Sequence, residues 1–212
     1  IIALGSQTEF FGIPGLSHHA FTLNALEDAE KIRHHINEMF VQAERENDPA
    51  ERKAILTFTV GGGGFTGVEL ATELVDYLRR LSEQFKISPK EAQLIVVEAG
   101  ETVLPGFDLA LVRKAMQIME SMGIRLRLKT PCVSVEANLI NLKGGEGIGT
   151  RTIIWTGGVR ANDLVAEAGL KYGPRSRVVV NPYLESVDHP GGYVIGDNAL
   201  VLDPATNRPV AP

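Results

Sequence analysis

Apolar residues along the chain repeat at two periods, and the changes between them mark out strands and helices. Ile1 to Gly5 reads as a buried strand ending in glycine, followed by a turn-rich segment through Gly12, Pro14 and Gly15. From Leu23 to Glu46 the apolar positions Leu26, Ala29, Ile32, Ile36, Met39, Phe40 and Ala43 recur at helical spacing. They predict an amphipathic helix with one buried stripe, ended by Asn47-Asp48-Pro49. The β-prone run Ile55 to Val60 then feeds the glycines 61–64. A second long helix follows, with Val68, Leu70, Ala71, Leu74, Val75, Leu78, Leu81 and Phe85 on one side. It stops near Ser88-Pro89.

Leu94 to Glu98 is almost continuously apolar, as expected of a parallel strand covered on both faces. A third helix is predicted from about Asp108 to Met122, with Gly123 as its C-terminal cap. Ile124 to Leu128 alternates as a half-exposed strand. Val133 to Glu136, Leu139 to Leu142 and Thr150 to Trp155 read as short strands, the first two joined by the turn Ala137-Asn138. Beyond Val159 the pattern weakens to a short helix, Asp163 to Ala168, and two strands, Arg177 to Asn181 and Gly192 to Asp197. The last ten residues have no regular period. The order predicts an α/β fold: a Rossmann-type unit with a parallel sheet and a small antiparallel β meander.

The chain has 212 residues, 44% of them hydrophobic, enough for a substantial core in one domain or one and a half. A net charge of −5 excludes a general nucleic-acid or polybasic membrane surface. With Cys132 as the single cysteine there is no intramolecular disulfide, dithiol centre or zinc knuckle. No apolar run approaches the ~18 residues of a membrane-spanning helix. The opening Ile1-Ile2-Ala3-Leu4-Gly5 resembles a strand entered partway, so the chain is expected to be cut from something longer. The pairs His18-His19 and His34-His35 lack acidic or cysteine partners at ligand spacing, and no metal site is expected.

The chemistry concentrates between the β-prone run and the second helix. Gly62, Gly64 and Gly67 fill a G-x-G-x-x-G frame at a strand-to-helix junction, the dinucleotide-binding fingerprint. Gly62 permits the tight turn, Gly64 lets backbone approach a pyrophosphate, and Gly67 allows close packing of helix on strand. Glu98 ends the next strand, where an acidic residue hydrogen-bonds the adenosine ribose; the other reading is a surface-facing strand-end glutamate. Its distance from the glycines exceeds the usual ~20 residues, and the long intervening helix explains the excess. A carboxylate there favours NADH and repels the 2′-phosphate of NADPH. Thr66-x-x-Glu69 also fits a capping box. Thr156-Gly157-Gly158 ends the closing strand on two glycines, which permit close approach of backbone. Cys132 has nothing basic in sequence beside it and is expected to pack as a small apolar residue.

Four phrases occur together: Ala3-Leu4-Gly5 with Phe11 to Gly15, Val60 to Ala71 including Phe65-Thr66-Gly67-Val68-Glu69, Ile154 to Val159, and Tyr193 to Ala199. In this order the chain resembles the type II NADH:quinone oxidoreductases, flavoproteins with two dinucleotide-binding domains. The resemblance implies that residues 53–156 form the NADH-binding domain, with 1–52 and 157–212 as partial FAD-domain segments. It implies NADH and FAD as cofactors, with the FAD site incomplete in this chain: the N-terminal FAD fingerprint is absent, as is the quinone-site and membrane-attachment segment after Pro212. It further implies hydride transfer from NADH to FAD and electrons passed to quinone. The intact protein would be cytoplasmic and peripheral on the cytoplasmic face of the membrane, and this chain alone would bind NADH with little turnover. Exposed strand edges leave a homodimer open.

Residue by residue, the resemblance assigns NADH contacts to Gly62, Gly64, Phe65, Thr66, Gly67 and Glu98. It sets Thr156 and Gly158 near the nicotinamide or flavin, although the family more often has alanine at the position of Gly157. Gly196-Asp197 matches the second flavin motif, in which the aspartate bonds the ribityl chain; the alternative is a strand-end turn. Glu69 is assigned to the nicotinamide side of the flavin as a catalytic residue, against the capping reading. Two rivals remain: another pyridine-nucleotide reductase of the same flavoprotein group, and a non-catalytic NADH-binding module.

Overall fold

The computed structural model describes residues 1–206 and 208–210. In chain order the regular elements begin β1 (Ser6–Thr8), α1 (Leu16–His19), α2 (Leu26–Arg45), α3 (Pro49–Ile55), β2 (Thr57–Gly61), α4 (Phe65–Gln84) and β3 (Gln93–Val97). Then come α5 (Leu109–Ser121), β4 (Arg125–Arg127), β5 (Cys132–Glu136), β6 (Leu139–Leu142), β7 (Gly147–Gly149), β8 (Thr152–Trp155) and β9 (Val159–Ala161). The last are α6 (Asp163–Glu167), β10 (Val178–Val179) and β11 (Ala199–Leu200). They form two compact units, Phe10–Gly157 and Ile1–Glu9 together with Gly158 onward.

In the larger unit, β4-β3-β2-β8 form one sheet, parallel throughout. The chain builds outward from β2 through β3 to β4, then returns on the other side of β2 as β8. The order therefore reverses at the β2/β8 pair, where open α/β sheets leave a crevice at the carboxyl ends of their strands. Alternation along each strand feeds two separate cores. Phe58, Val60, Leu94, Val96 and Ile154 meet the helices through Ile36, Phe40, Ala71 and Leu78. Ile95, Val97, Ile153 and Trp155 face the antiparallel meander β5-β6-β7 through Val135, Ile140 and Leu142. The sheet is thus covered on both faces, which explains why β3 reads as an unbroken apolar run. The outer edge of β8 is closed by the Phe21 backbone, which pairs with Ile153 and Trp155.

The parallel sheet and meander expected from the sequence are what the chain forms. Several local expectations are corrected. Ile55 and Leu56 do not open the β2 strand: Asp48 caps a short helix whose first residue is Pro49, and this helix runs to Ile55. Gly147–Gly149 forms β7, because pairing with β6 overrides the poor strand propensity of two glycines. Ile1 to Gly5 is not a buried strand. Ile1 is 91% exposed, Ile2 makes one parallel bridge to Val194, and the pairing is displaced to β1, antiparallel to β9.

The smaller unit is organised around Ala161, Val165, Val178, Val180, Val194 and Ala199. Arg177 is 6% exposed and donates to the carbonyl oxygens of Ala199 (2.8 Å) and Val210 (3.0 Å). Burial pulls its pKa down, and the Asp197 charge opposes that shift. Of the expected strands here, Arg177 to Asn181 shortens to β10 with isolated bridges from Val178 to Tyr172 and from Val180 to Ser186, and Gly192 to Asp197 forms isolated bridges through Tyr193 and Val194. No helix among the described residues is long and apolar enough to cross a membrane.

His35 links α2 to the sheet. His35 Nε2 lies 3.2 Å from the Arg151 carbonyl oxygen and 3.0 Å from Thr152 Oγ1, with Phe21 against the ring. The carbonyl can only accept, so Nε2 carries the proton. Burial holds the His35 pKa below its ordinary value, against the Arg151 carbonyl, which raises it. The stability contributed by the neutral ring is complete above the ordinary histidine pKa and is lost as pH falls below it. Thermal unfolding followed from about pH 7.5 to about pH 5.5 should show a falling midpoint. His35→Gln, which keeps a donor but cannot titrate, should flatten that slope.

Candidate dinucleotide site

Three backbone segments converge at the crevice: the end of β2, the start of α4 and the end of β8. Gly62 has φ +109°, and a Cβ there would lie 2.6 Å from Gly157 Cα and 2.7 Å from Gly157 N. A Cβ on Gly67 would land on the Gly62 carbonyl oxygen and 2.8 Å from Thr156 Oγ1. Neither position has room for a side chain, so the first and third fingerprint glycines are close-approach residues. The middle glycine differs. A Cβ on Gly64 would meet nothing within 4 Å, so protein atoms leave its outer side open.

Gly64 is the N-cap of α4, and no side chain caps the helix. The capping box expected of Thr66 and Glu69 does not form. Thr66 already lies inside the helix, and Gly64 reaches it in an extended conformation two residues earlier. Thr66 and Glu69 are both exposed. The first N–H groups of a helix have no intrahelical acceptor, and here they open toward the space beside Gly64. Phe65 is 57% exposed and packs edge-on against Phe107, ring centres 5.3 Å apart.

Thr156 closes the β8 side. Its N–H donates to the Gly61 carbonyl (2.7 Å), and its hydroxyl lies 3.1 Å from Gly61 O and 3.2 Å from Gly62 O. The hydroxyl is therefore a strut between strand end and glycine loop. Glu98, at the end of β3, is not a surface-facing side chain. Oε2 accepts from Gly63 N–H and Oε1 from Gly100 N–H, both at 2.6 Å. A cavity of about 380 Å³ opens beside it, walled by Ile13, Val97, Pro131, Trp155 and Gly157. Cys132 also faces this cavity, and burial raises its thiol pKa, so it stays protonated.

The larger unit thus brings together Gly62, Gly64, Phe65, Thr66, Gly67, Glu98 and Thr156. Glu69 sits one helical turn along α4, and its carboxylate has no protein partner among the described residues. Gly158, Gly196 and Asp197 belong to the smaller unit. There Gly196, with φ +64°, opens a 3-10 turn with Asp197 and Asn198 in place of the expected strand end. Sequence reasoning missed Gly63, Gly100 and Trp155. Gly63 is an x of the frame, and only the four-glycine run could have drawn attention to it. No group of histidine, cysteine and carboxylate side chains among the described residues is arranged to hold a metal. His34 points to Glu38 on its own helix while His35 turns to the sheet.

Residues 1–209 match the pyridine nucleotide-disulphide oxidoreductase family, and the chain belongs to that family. Among curated proteins it is 32% identical to the type II NADH:quinone oxidoreductase of Staphylococcus epidermidis, over 99% of this chain and 52% of that protein. The Staphylococcus aureus protein of the same name is 31% identical over the same shares. The chain thus spans about half the length of these relatives. Among solved structures, NDH2 from Plasmodium falciparum in complex with NADH has the same fold, with a TM-score of 0.85. It is 22% identical, covering 93% of this chain and 43% of that one. A ferredoxin reductase from Rhodopseudomonas palustris superposes with a TM-score of 0.72 at 19% identity, over 99% and 46%.

The packing at Gly67 predicts a steep difference between two substitutions. Gly67→Ala must push α4 off the Gly62 carbonyl and should cost about 3 kcal/mol or more in denaturant unfolding. Thr156→Val keeps the shape, loses the hydroxyl strut and should cost about 1 kcal/mol.

Proposed function

We propose that the chain is the NADH-binding portion of a flavin-dependent NADH dehydrogenase of the type II NADH:quinone oxidoreductase group. The observation that carries this reading is the crevice at the β2/β8 reversal, where the glycine loop that leads into an uncapped helix N-terminus is bonded by the Glu98 carboxylate. The amides of α4 receive the pyrophosphate, with Gly64 offering no side chain in the way. Glu98 uses one lone pair of each oxygen on a backbone amide and keeps the others for the ribose hydroxyls. Its charge disfavours a 2′-phosphate and so selects NADH over NADPH. Phe65 and Thr66, in the first turn of α4, are exposed.

In the whole protein a bound FAD would supply the redox chemistry that takes hydride from NADH and passes electrons to a quinone. Residues 53–156 serve as the NADH domain, with residues 10–52 packed in the same unit rather than apart from it, and 1–9 and 158–212 contribute to the FAD domain. Thr156 and Gly158 bring backbone close to the reacting rings, and in the Gly196-Asp197 motif the aspartate would bond the flavin ribityl chain. Glu69 acts at the nicotinamide side. Its exposure and the absence of a side-chain cap on α4 support a role toward ligand rather than a cap. The names of the staphylococcal relatives support the quinone step, and the NADH in the Plasmodium structure supports the donor. Cytoplasmic location, peripheral attachment to the membrane's cytoplasmic face and homodimer formation belong to the same proposal for the whole protein.

Titration of the purified chain by NADH and NADPH fluorescence tests the donor assignment. The wild type should bind NADH more tightly, and Glu98→Ser should weaken NADH about tenfold or more while narrowing the preference over NADPH. Unchanged selectivity would remove Glu98 from the site. In the intact enzyme, Glu69→Gln should lower turnover without moving the melting temperature. A lower melting temperature with normal kinetics would make Glu69 structural.

A further inference from the structure

We infer that Glu98 has a second task, resting on the dinucleotide reading: it is the positioning residue that holds the phosphate-binding loop in shape before any ligand arrives. Gly63 is the residue between the two loop glycines. Its N–H donates to Glu98 Oε2 at 2.6 Å, and its carbonyl accepts from Leu104 N–H at 2.8 Å. Both polar groups of this residue are therefore committed to the segment that follows β3. That segment is tied to the same carboxylate, because Gly100 N–H donates to Oε1 at 2.6 Å. Val103, fully buried, packs so closely that a Cβ on Gly63 would lie 3.1 Å from its Cγ1.

The consequence is mechanical. With both polar groups of Gly63 held, the next residue, Gly64, is presented in the orientation that caps α4 and leaves its outer side clear. The glycine loop and the loop after β3 behave as one body joined through a single carboxylate. A glutamine cannot do the same work. Only one of its terminal atoms accepts, and its NH₂ would face one of the two backbone N–H groups donor to donor. Charge-assisted bonds from backbone amides are also stronger than neutral ones. A residue that served the ribose alone would act on an anionic ligand lacking one only through its negative charge, and neutralising it would strengthen the binding.

Inorganic pyrophosphate is such a ligand. We expect Glu98→Gln to weaken pyrophosphate binding to the purified chain about tenfold, alongside NADH, in calorimetric titrations. Val103→Ala, which loosens the same loop without touching the carboxylate, should weaken pyrophosphate in the same direction. In nitrogen–proton spectra the Gly63 and Gly100 amides should move upfield together in Glu98→Gln, with distant resonances unchanged. Unaltered or strengthened pyrophosphate affinity in a folded Glu98→Gln protein that has lost NADH affinity would overturn the positioning role and leave the ribose role standing. Unmoved Gly63 and Gly100 amides would overturn it as well. Failure of the wild-type chain to bind NADH would overturn the dinucleotide reading itself, and this inference with it.

Discussion

The constraint on which the larger unit depends is the contact of backbone with backbone where β2, α4 and β8 meet. Gly67 packs the first turn of α4 against the Gly62 carbonyl, and Gly62 lies against Gly157, with no space for a Cβ at either glycine. Thr156 then locks the arrangement by bonding the Gly61 and Gly62 carbonyls. This closeness aims the helix N-terminus at the crevice. Were the helix held a side chain's width away, the same amides would open elsewhere, and the strand ends would not share one cleft with them.

The sheet makes that contact rigid. Alternate residues of β2, β3 and β8 bury into the helix-side core or the meander-side core, so the crevice rests on a slab packed from both sides. Trp155 couples slab to site: it belongs to the meander-side core, and its ring occupies the space that a side chain on Gly61 or Gly157 would need. The meander thus fixes the far wall of the cavity as well as covering the sheet.

Much of this was legible in the residues. The helical periods of α2, α4 and α5, the apolar run of β3 and the glycine spacing each rest on local physics: one face buried, both faces buried, or a backbone that tolerates no Cβ. Glu98 was legible as a strand-end acid, but its two amide partners were not, since Gly63 and Gly100 lie on different loops. The capping box at Thr66 and Glu69 was a sound local pattern that lost to geometry. The glycine loop starts the helix two residues early, placing Thr66 where its backbone is already helical. In the smaller unit, Arg177 was read only as the start of a strand, yet it is a buried cation satisfied by the distant carbonyls of Ala199 and Val210.

By itself, then, the sequence determined the α/β class, the strand-turn-helix junction and the family, because period, glycine spacing and phrase order are properties of neighbouring residues. Tertiary structure alone decided which strands flank β2, that Gly63 is gripped through both of its polar groups, and that Glu69 is exposed. Those outcomes depend on groups brought together across 35 or more residues, from Gly63 to Glu98 and from Thr156 back to Gly61. No local pattern encodes such meetings; the packing of the sheet between its two cores does.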